Sequence, residues 1–332
     1  MPHKVLITSL SFFRYPGRHL ELLQESGCEV IDSHAQRPLS QSEMIKLVAD
    51  VDAIIAGGDC LDAAVIAAAP RLKVISRQGV GYDAVDVAAA TRAGVVVTTT
   101  PGANHVTVAE LALGLMIALA RQLQRQMPIA KAGLWDRLPG IELAGKTLGI
   151  VGLGRIGKAL ATRAKAMEIE VVAYDVLRDR LFADQHSIRY LQFNDLLIRS
   201  DFVSLHAPAS PGTPPLIGEN EIRLMKPTAF LVNTARGSLV DENALYLALK
   251  EDRLAGAALD CWQREPPAPG GLLALDKVLP TPHVGGMTHE ASVRGAIGAA
   301  ENTLQVLRGE RCSDAVNPDV YELASARARA AI

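Results

Sequence analysis

The stretch KTLGIVGLGRIG, Lys146 to Gly157, constrains the fold more than any other part of the chain. An apolar run, Thr147 to Val151, leads into Gly152-x-Gly154-x-x-Gly157, and a helical run then continues to Met167. A strand, a glycine turn and a helix in that order fit a dinucleotide. Gly152 permits the tight turn, Gly154 lets backbone N–H groups approach a pyrophosphate, and Gly157 lets the helix pack close to the strand. The helix N-terminus attracts the phosphate charge. A second apolar strand, Ile169 to Tyr174, ends in Asp175. A carboxylate about 20 residues past the glycines accepts from both ribose hydroxyls of NAD and repels a 2′-phosphate. The glycines alone are a weak signal; strand, turn, helix, strand and acid together are a specific one.

The rest of the composition narrows the function classes. A length of 332 residues allows two domains with cores of their own. The net charge is −2, and no basic block is present to follow a phosphate backbone, so nucleic acid is not an expected partner. Cys28, Cys60, Cys261 and Cys312 share no C-x-x-C spacing, which predicts reduced thiols and no metal site. The chain opens directly on the strand-like Val5-Leu6-Ile7, which predicts no secretory leader. The longest apolar run, Leu111 to Ala120, is about half of what spans a bilayer. Together these predict a soluble, cytoplasmic protein without a membrane partner.

Residues 4–100 alternate short strands and helices. Strands are expected at 4–7, 29–31, 53–56, 74–76 and 95–98, with helices at 18–26, 41–49, 61–68 and 86–93, a β-α-β pattern that implies a parallel sheet. Arg77-Gln78-Gly79-Val80-Gly81 follows a strand, and such a loop exposes N–H groups to a ligand or is a plain turn. After Pro101-Gly102, residues 107–126 read as one long apolar helix that another domain or another subunit must cover. Residues 127–145 read as irregular, with Trp135 in a loop that forms a dimer interface or packs internally. Strands follow at 147–151, 169–174, 202–206, 229–233, 255–259 and 277–279, with helices at 155–167, 193–199, 219–225 and 241–250. A helix over 290–308 is expected to return to the first sheet, and 324–332 reads as a frayed helix or tail. The expected fold is α/β: two Rossmann-like doubly wound parallel-sheet domains with a cleft between them. The expected domains are 1–100 plus 287–332, which binds substrate, and 101–286, which binds NAD and carries a dimerisation helix and loop.

Ligands in such sheets bind beyond the carboxyl ends of the strands. The residues at those ends are Gly152, Asp175, His206, Thr234-Ala235-Arg236, Asp260 and His283. Dehydrogenation with a nicotinamide needs a base, a tuner for that base and a cation for the substrate anion. His283, after Thr281-Pro282, is the candidate base. Glu265, in Arg264-Glu265-Pro266-Pro267, is the carboxylate that would fix its tautomer and favour the imidazolium. The fork of Arg236 would grip a carboxylate in two places.

Taken in order, several motifs resemble the D-isomer-specific 2-hydroxyacid dehydrogenase family, nearest its phosphoglycerate-dehydrogenase-like branch. They are RQGVGYD from Arg77, Gly152 to Gly157, Leu205-His206-Ala207-Pro208, Thr234 to Gly237 with Val240-Asp241, GAALD from Gly256, Glu265-Pro266-Pro267 and PHVGG from Pro282. The resemblance covers nearly the whole chain. It implies that Arg236, Glu265 and His283 are catalytic, and that Arg236 and His283 also touch both substrate and cofactor. It further places NAD against Val108, Gly152, Gly154, Arg155, Ile156, Gly157 and Asp175. Ala207, Pro208 and Thr213 join His206 along the adenosine and ribose. Thr234, Ala235, Asp260, Gly285 and Gly286 complete the set, with Asp260 toward the nicotinamide carboxamide. Substrate carboxylate is assigned to the loop Arg77, Gly79, Val80, Gly81 and to Asn104. A homodimer through the cofactor domain is implied as well.

One departure bears on substrate. Family members that accept 3-phosphoglycerate carry an arginine in the loop after the third strand, where this chain has Ala56-Gly57-Gly58-Asp59. A phosphate facing Asp59 with one cation fewer would bind more weakly, although Arg77 and Arg137 remain as partners. A regulatory C-terminal domain is not expected. The expected substrate is a small unphosphorylated 2-hydroxy or 2-keto acid such as glyoxylate or hydroxypyruvate. Alternatives are 3-phosphoglycerate, phosphite and an NAD-sensing corepressor-like scaffold; Glu265 counts against formate, whose enzymes of this fold carry Gln there.

Overall fold

A computed structural model of the chain describes residues 2–209 and 212–323. The tail expected over 324–332 lies outside the described residues. The chain divides into two compact units, Met1–Asn104 with Gly286–Ile332, and His105–Gly285.

The first unit runs β1 (Lys4–Ile7), α1 (Arg18–Glu25), β2 (Glu29–Asp32), α2 (Gln41–Leu47), β3 (Ala53–Ala56), α3 (Ala63–Ala67), β4 (Val74–Arg77), α4 (Val87–Ala93) and β5 (Val96–Thr98). Its five strands are parallel, in the order β2-β1-β3-β4-β5. Short helices start where the sequence supplies caps: Asp62 accepts from Ala64 N and Val65 N, and Asp86 accepts from Ala89 N. Strands such as Ala-Ile-Ile-Ala at β3 are buried throughout because helices cover both faces of the sheet. Val5, Ile7 and Ile55 pack with the Ala-rich face of the helix over His289–Leu307; Leu6, Ile54 and Ile75 pack on the other side.

The second unit begins with α5 (His105–Ala120) and α6 (Leu123–Lys131). The expected single helix over 107–126 is therefore two, bent by 67° at Gln122, whose φ is 49°. The physical reason lies some twenty residues downstream. The chain returns at Pro139–Ile141, where Ile141 N donates to Ala120 O at 2.8 Å and Gln122 Nε2 donates to Pro139 O at 2.6 Å. These bonds satisfy the end of α5 and stop it. The apolar character of α5 is also explained locally. Ala109, Ala112, Leu115, Met116 and Leu119 pack against the unit's own sheet and against Leu160, Ala161 and Ala164. No single helix is long and apolar enough to cross a membrane among the described residues.

The sheet of this unit comprises β6 (Thr147–Val151), β7 (Glu170–Tyr174), β8 (Arg189–Tyr190), β9 (Phe202–Leu205), β10 (Phe230–Asn233), β11 (Gly256–Leu259) and β12 (Val278–Pro280). The helices are α7 (Arg155–Ala166), α8 (Arg180–Gln185), α9 (Phe193–Arg199), α10 (Glu219–Leu224) and α11 (Glu242–Lys250); α12 (His289–Leu307) returns to the first unit. All seven strands are parallel, in the order β12-β11-β10-β9-β6-β7-β8. From β6 the order grows one way through β7 and β8 and the other way through β9 to β12. The switch point therefore lies between β6 and β9, where a crevice opens beyond the strand ends.

Candidate active site

Strand register lines the chemistry up along one edge. Val151 pairs with Tyr174 and with Leu205, Leu205 with Asn233, Asn233 with Leu259, and Leu259 with Pro280. The next residue of each strand is then Gly152, Asp175, His206, Thr234, Asp260 and Thr281, with His283 two further on.

The turn after β6 has the shape of a dinucleotide cradle. Gly152 has φ 96°, and a Cβ there would lie 2.7 Å from the backbone of His206 and Ala207. A Cβ on Gly157 would lie 2.3 Å from Gly152 O, whereas one on Gly154, the N-cap of α7, would meet nothing within 4 Å. The space in front of the α7 N-terminus is therefore open, and the turn behind it is tight. Asp175 accepts from Leu153 N at 2.7 Å and Leu177 N at 2.9 Å, which fixes its carboxylate beside the turn. Buried His206 Nδ1 and Thr234 Oγ1 have no hydrogen-bond partner among the described residues. Burial without a charge partner holds the His206 imidazole down to about 4, so it is neutral at neutral pH, and its Nε2 lies 2.9 Å from Ser204 Oγ. These features fit NAD.

Three loops of the same edge carry the charged groups. Arg236 follows β10 in a loop clamped by buried Asn233, whose Nδ2 donates to Arg236 O at 2.8 Å while its Oδ1 accepts from Ala235 N at 3.0 Å. Arg236 Nη1 donates to Ala235 O at 2.7 Å. The next residue, Gly237, presses on the 262–263 backbone so closely that a Cβ would lie 1.9 Å from Trp262 C. Glu265 accepts from Trp262 N at 3.1 Å, so Arg236 and Glu265 are carried by loops in direct contact. His283 has φ 52°, and its N–H donates to Asp260 O at 2.9 Å. Its ring Nδ1 lies 2.9 and 2.8 Å from the two oxygens of Glu265. Both side chains remain partly exposed, 48% for His283 and 40% for Glu265.

The electrostatics follow from those contacts. Cys261, then Glu265, push the His283 imidazole up to about 10, against the opposing effect of burial. Burial disfavours the Glu265 carboxylate, but the hydrogen bond and charge of His283 outweigh it and hold the group below the usual carboxylate range. Arg236 adds to the same effect. At neutral pH the pair is an imidazolium on a carboxylate, a proton donor with its tautomer fixed.

Asp260 is wholly buried. It accepts from Thr281 Oγ1 at 2.6 Å, Val284 N at 2.8 Å and Gly285 N at 2.8 Å. It thus anchors the His283 loop from within, and a Cβ on Gly285 would lie 2.9 Å from its carboxylate and 3.5 Å from Val108.

The residues expected to hold the substrate carboxylate, Arg77, Gly79, Val80, Gly81 and Asn104, belong to the other unit, as does Gly286. Arg77 Nε donates to Gly81 O at 3.0 Å and Thr100 N donates to Gly79 O at 2.9 Å, which curls the 79–81 loop. The N–H groups of Val80 and Gly81 donate to nothing among the described residues. Asn104 lies close to Gly286, its Nδ2 3.3 Å from where a Cβ would stand. Asp59 corrects an expectation. It is fully buried and accepts from Thr8 Oγ1 at 2.5 Å, Leu39 N at 2.8 Å and Gly57 N at 3.0 Å. It ties three loops together from within the unit, with none of its surface open to solvent.

Residues 113–285 match the NAD-binding domain of D-isomer-specific 2-hydroxyacid dehydrogenases. The chain belongs to that family. It is 42% identical over 302 residues to a D-3-phosphoglycerate dehydrogenase of Methanocaldococcus jannaschii, covering 90% of this chain and 57% of that one. The chain thus spans little more than half the length of the first curated relatives it matches. It is 40% identical over 331 residues to a glyoxylate reductase of Thermofilum pendens, covering 96% of each. A solved glyoxylate reductase from Paecilomyes thermophila superposes with a TM-score of 0.84 at 30% identity, covering 95% of this chain and 98% of that one. The two parallel-sheet α/β units and the NAD-binding domain expected from the sequence are those of a D-2-hydroxyacid dehydrogenase.

Sequence reasoning missed the residues that support this candidate site. Asn233 ends β10, just before the Thr234 to Gly237 motif, but its clamp on Arg236 depends on the turn. Trp262 Nε1 donates to Thr281 O at 3.1 Å, joining the Glu265 turn to the strand that leads to His283. Cys261 donates from Sγ to Ala235 O at 3.3 Å, on the Arg236 loop. Only their position immediately after Asp260 could have pointed to the last two.

Proposed function

We propose that the protein is an NAD-dependent dehydrogenase interconverting a small, unphosphorylated D-2-hydroxy acid and its 2-keto acid. The observation that carries this reading is the His283–Glu265 pair at 2.8 Å, on the same sheet edge as the glycine cradle and Arg236. NAD, held by Gly152 to Gly157 and Asp175, supplies the hydride-carrying nicotinamide. Nδ1 of His283 is committed to Glu265, so the proton exchanged with substrate is the one on Nε2. In keto-acid reduction the imidazolium gives that proton to the developing alkoxide; in the reverse direction neutral His283 takes it. Arg236 supplies a bidentate cation for the substrate carboxylate and polarises the carbonyl. The N–H groups of Val80 and Gly81 supply further donors for a carboxylate.

The preference for an unphosphorylated substrate rests on residues 57–60. The loop holds no cation, and its one charge, Asp59, is consumed internally. Asp175 supports NADH over NADPH, and Arg178, which could otherwise turn to a 2′-phosphate, stacks over Tyr190 at 5.6 Å. A homodimer is supported by the stretch from α6 to Ile141. No residue of α6 is buried, Met127 and Leu134 are about half exposed and Trp135 is 86% exposed. The test is a panel of glyoxylate, hydroxypyruvate, pyruvate, bulkier 2-keto acids and 3-phosphohydroxypyruvate, followed by loss of NADH absorbance. The reading expects the highest kcat/KM on an unphosphorylated acid. Highest efficiency on the phosphorylated one would overturn the substrate assignment, and no turnover with any would overturn the activity.

A further inference from the structure

Among the described residues Cys261 is the one thiol that sits among the charged groups of the site, and the proposed reaction makes and breaks no bond at its sulfur. Its Sγ, a carboxylate oxygen of Glu265 and a ring nitrogen of His283 all lie within 4.8 Å of one another, and the ring nitrogen held against Glu265 is Nδ1, 2.8 Å away. We propose that these three form a binding site for a thiophilic divalent cation such as Zn2+, and that filling it arrests turnover.

The donor set is one that zinc prefers: a thiolate, an imidazole and a carboxylate, with a fourth position left to water. Zinc–ligand distances of ~2.0–2.3 Å in a tetrahedron place neighbouring ligand atoms roughly 3.3–3.6 Å apart. Nδ1 and the nearer Glu265 oxygen are 2.8 Å apart and the group spans 4.8 Å at most, so a metal needs Glu265 and His283 to separate slightly while both approach Sγ. Those two side chains are free to make that adjustment because each is nearly half exposed, and the same exposure gives the ion its way in. Cys261, only 2% exposed, is held in place at the end of β11 and gives up a long 3.3 Å bond to Ala235 O. The spacing of the cysteines in sequence carries no signal of such a site, because its ligands come from the ends of two strands and a turn.

The effect on turnover rests on the function proposed above. The ion takes the place of the proton between His283 and Glu265 and displaces the thiol proton, so two protons leave for solvent. The N–H remaining on His283 Nε2 then belongs to a neutral, metal-bound imidazole, a much weaker acid than an imidazolium. Proton delivery to the substrate stops, and a chelator restores it.

Chelator-treated protein titrated with Co2+ tests binding without any need for activity. The expected result is one cobalt ion per chain with a near-ultraviolet thiolate-to-cobalt charge-transfer band. Cys261→Ser, which keeps the side-chain size, loses the band and binds the ion at least about 100-fold more weakly, beyond the loss typical of an outer-shell partner. In parallel, the ratio of NADH-consuming activity with and without Zn2+ falls in the wild type, recovers with EDTA, and stays near one in Cys261→Ser. Absence of the band, or equal inhibition of wild type and Cys261→Ser, overturns the proposal. A protein that binds cobalt through Cys261 yet reduces no 2-keto acid leaves the metal site standing and removes the functional reading instead.

Discussion

Replacing Glu265 by glutamine removes a negative charge 2.8 Å from His283 Nδ1 while keeping a hydrogen-bond partner of the same size. In the wild type, Cys261 and Glu265 together hold the imidazolium up to about 10. An opposite charge in contact is worth about 1–3 pKa units, and the 48% exposure of His283 places its share toward the lower end through solvent screening. The substitution should therefore lower the His283 pKa by about 1–2 units, equivalent to ~1.4–2.7 kcal/mol of preference for the protonated form. The sign follows from which form works. A raised pKa keeps the proton donor present below it, so keto-acid reduction is flat through neutrality and declines as pH rises through about 10. In Glu265→Gln that decline begins about 1–2 units earlier. Oxidation of the hydroxy acid needs the neutral ring, so it climbs with pH in both proteins and reaches its plateau earlier in the variant. The assay is kcat/KM against pH in each direction, in the presence of a chelator. Identical midpoints in wild type and variant, or oxidation that falls with rising pH, would refute the reasoning.

Three further outcomes follow from the geometry. Asp175→Ala should raise the NADPH-to-NADH ratio of kcat/KM by at least about tenfold, or ~1.4 kcal/mol, read from initial rates with the two cofactors. Gly237→Ala puts a methyl group 1.9 Å from Trp262 C, so thermal unfolding should show about 1–3 kcal/mol of lost stability together with lower kcat/KM, as the Arg236 and Glu265 loops move apart. Trp135→Asp should convert a dimer into a monomer in light scattering after size exclusion; an unchanged dimer mass would remove α6 and its loop from the interface.

The parts of the fold legible in sequence are those whose signal is local. Strands such as Ala53–Ala56 and Thr147–Val151 are apolar runs between turn residues, and helices such as α11 start at a capping aspartate. The edge strand β8 has two residues and no periodicity to read, and α8 beside it has only six. The end of α5 was hidden because its cause, the return of residues 139–141, is set by the tertiary path and not by helix propensity. Arg236 and His283 were legible because each follows a strand, and parallel register carries strand ends to one edge; Glu265 was legible from its turn, just before two prolines, and the strand that leads to His283. Their supports were not. Asn233 turning back on Arg236, Asp260 buried under residues 281–285 and Asp59 tied between three loops are roles fixed by which backbone N–H comes near. A carboxylate in sequence reads equally well as a ligand or as a brace.

The proposed reaction and the proposed metal site both pass through one imidazole. Turnover of His283→Gln on the most efficient 2-keto acid, with NADH binding measured separately by fluorescence, tests it most directly. The expected kcat is lower by about 10²–10⁴-fold, with cofactor affinity retained. Near wild-type turnover in that variant would contradict it.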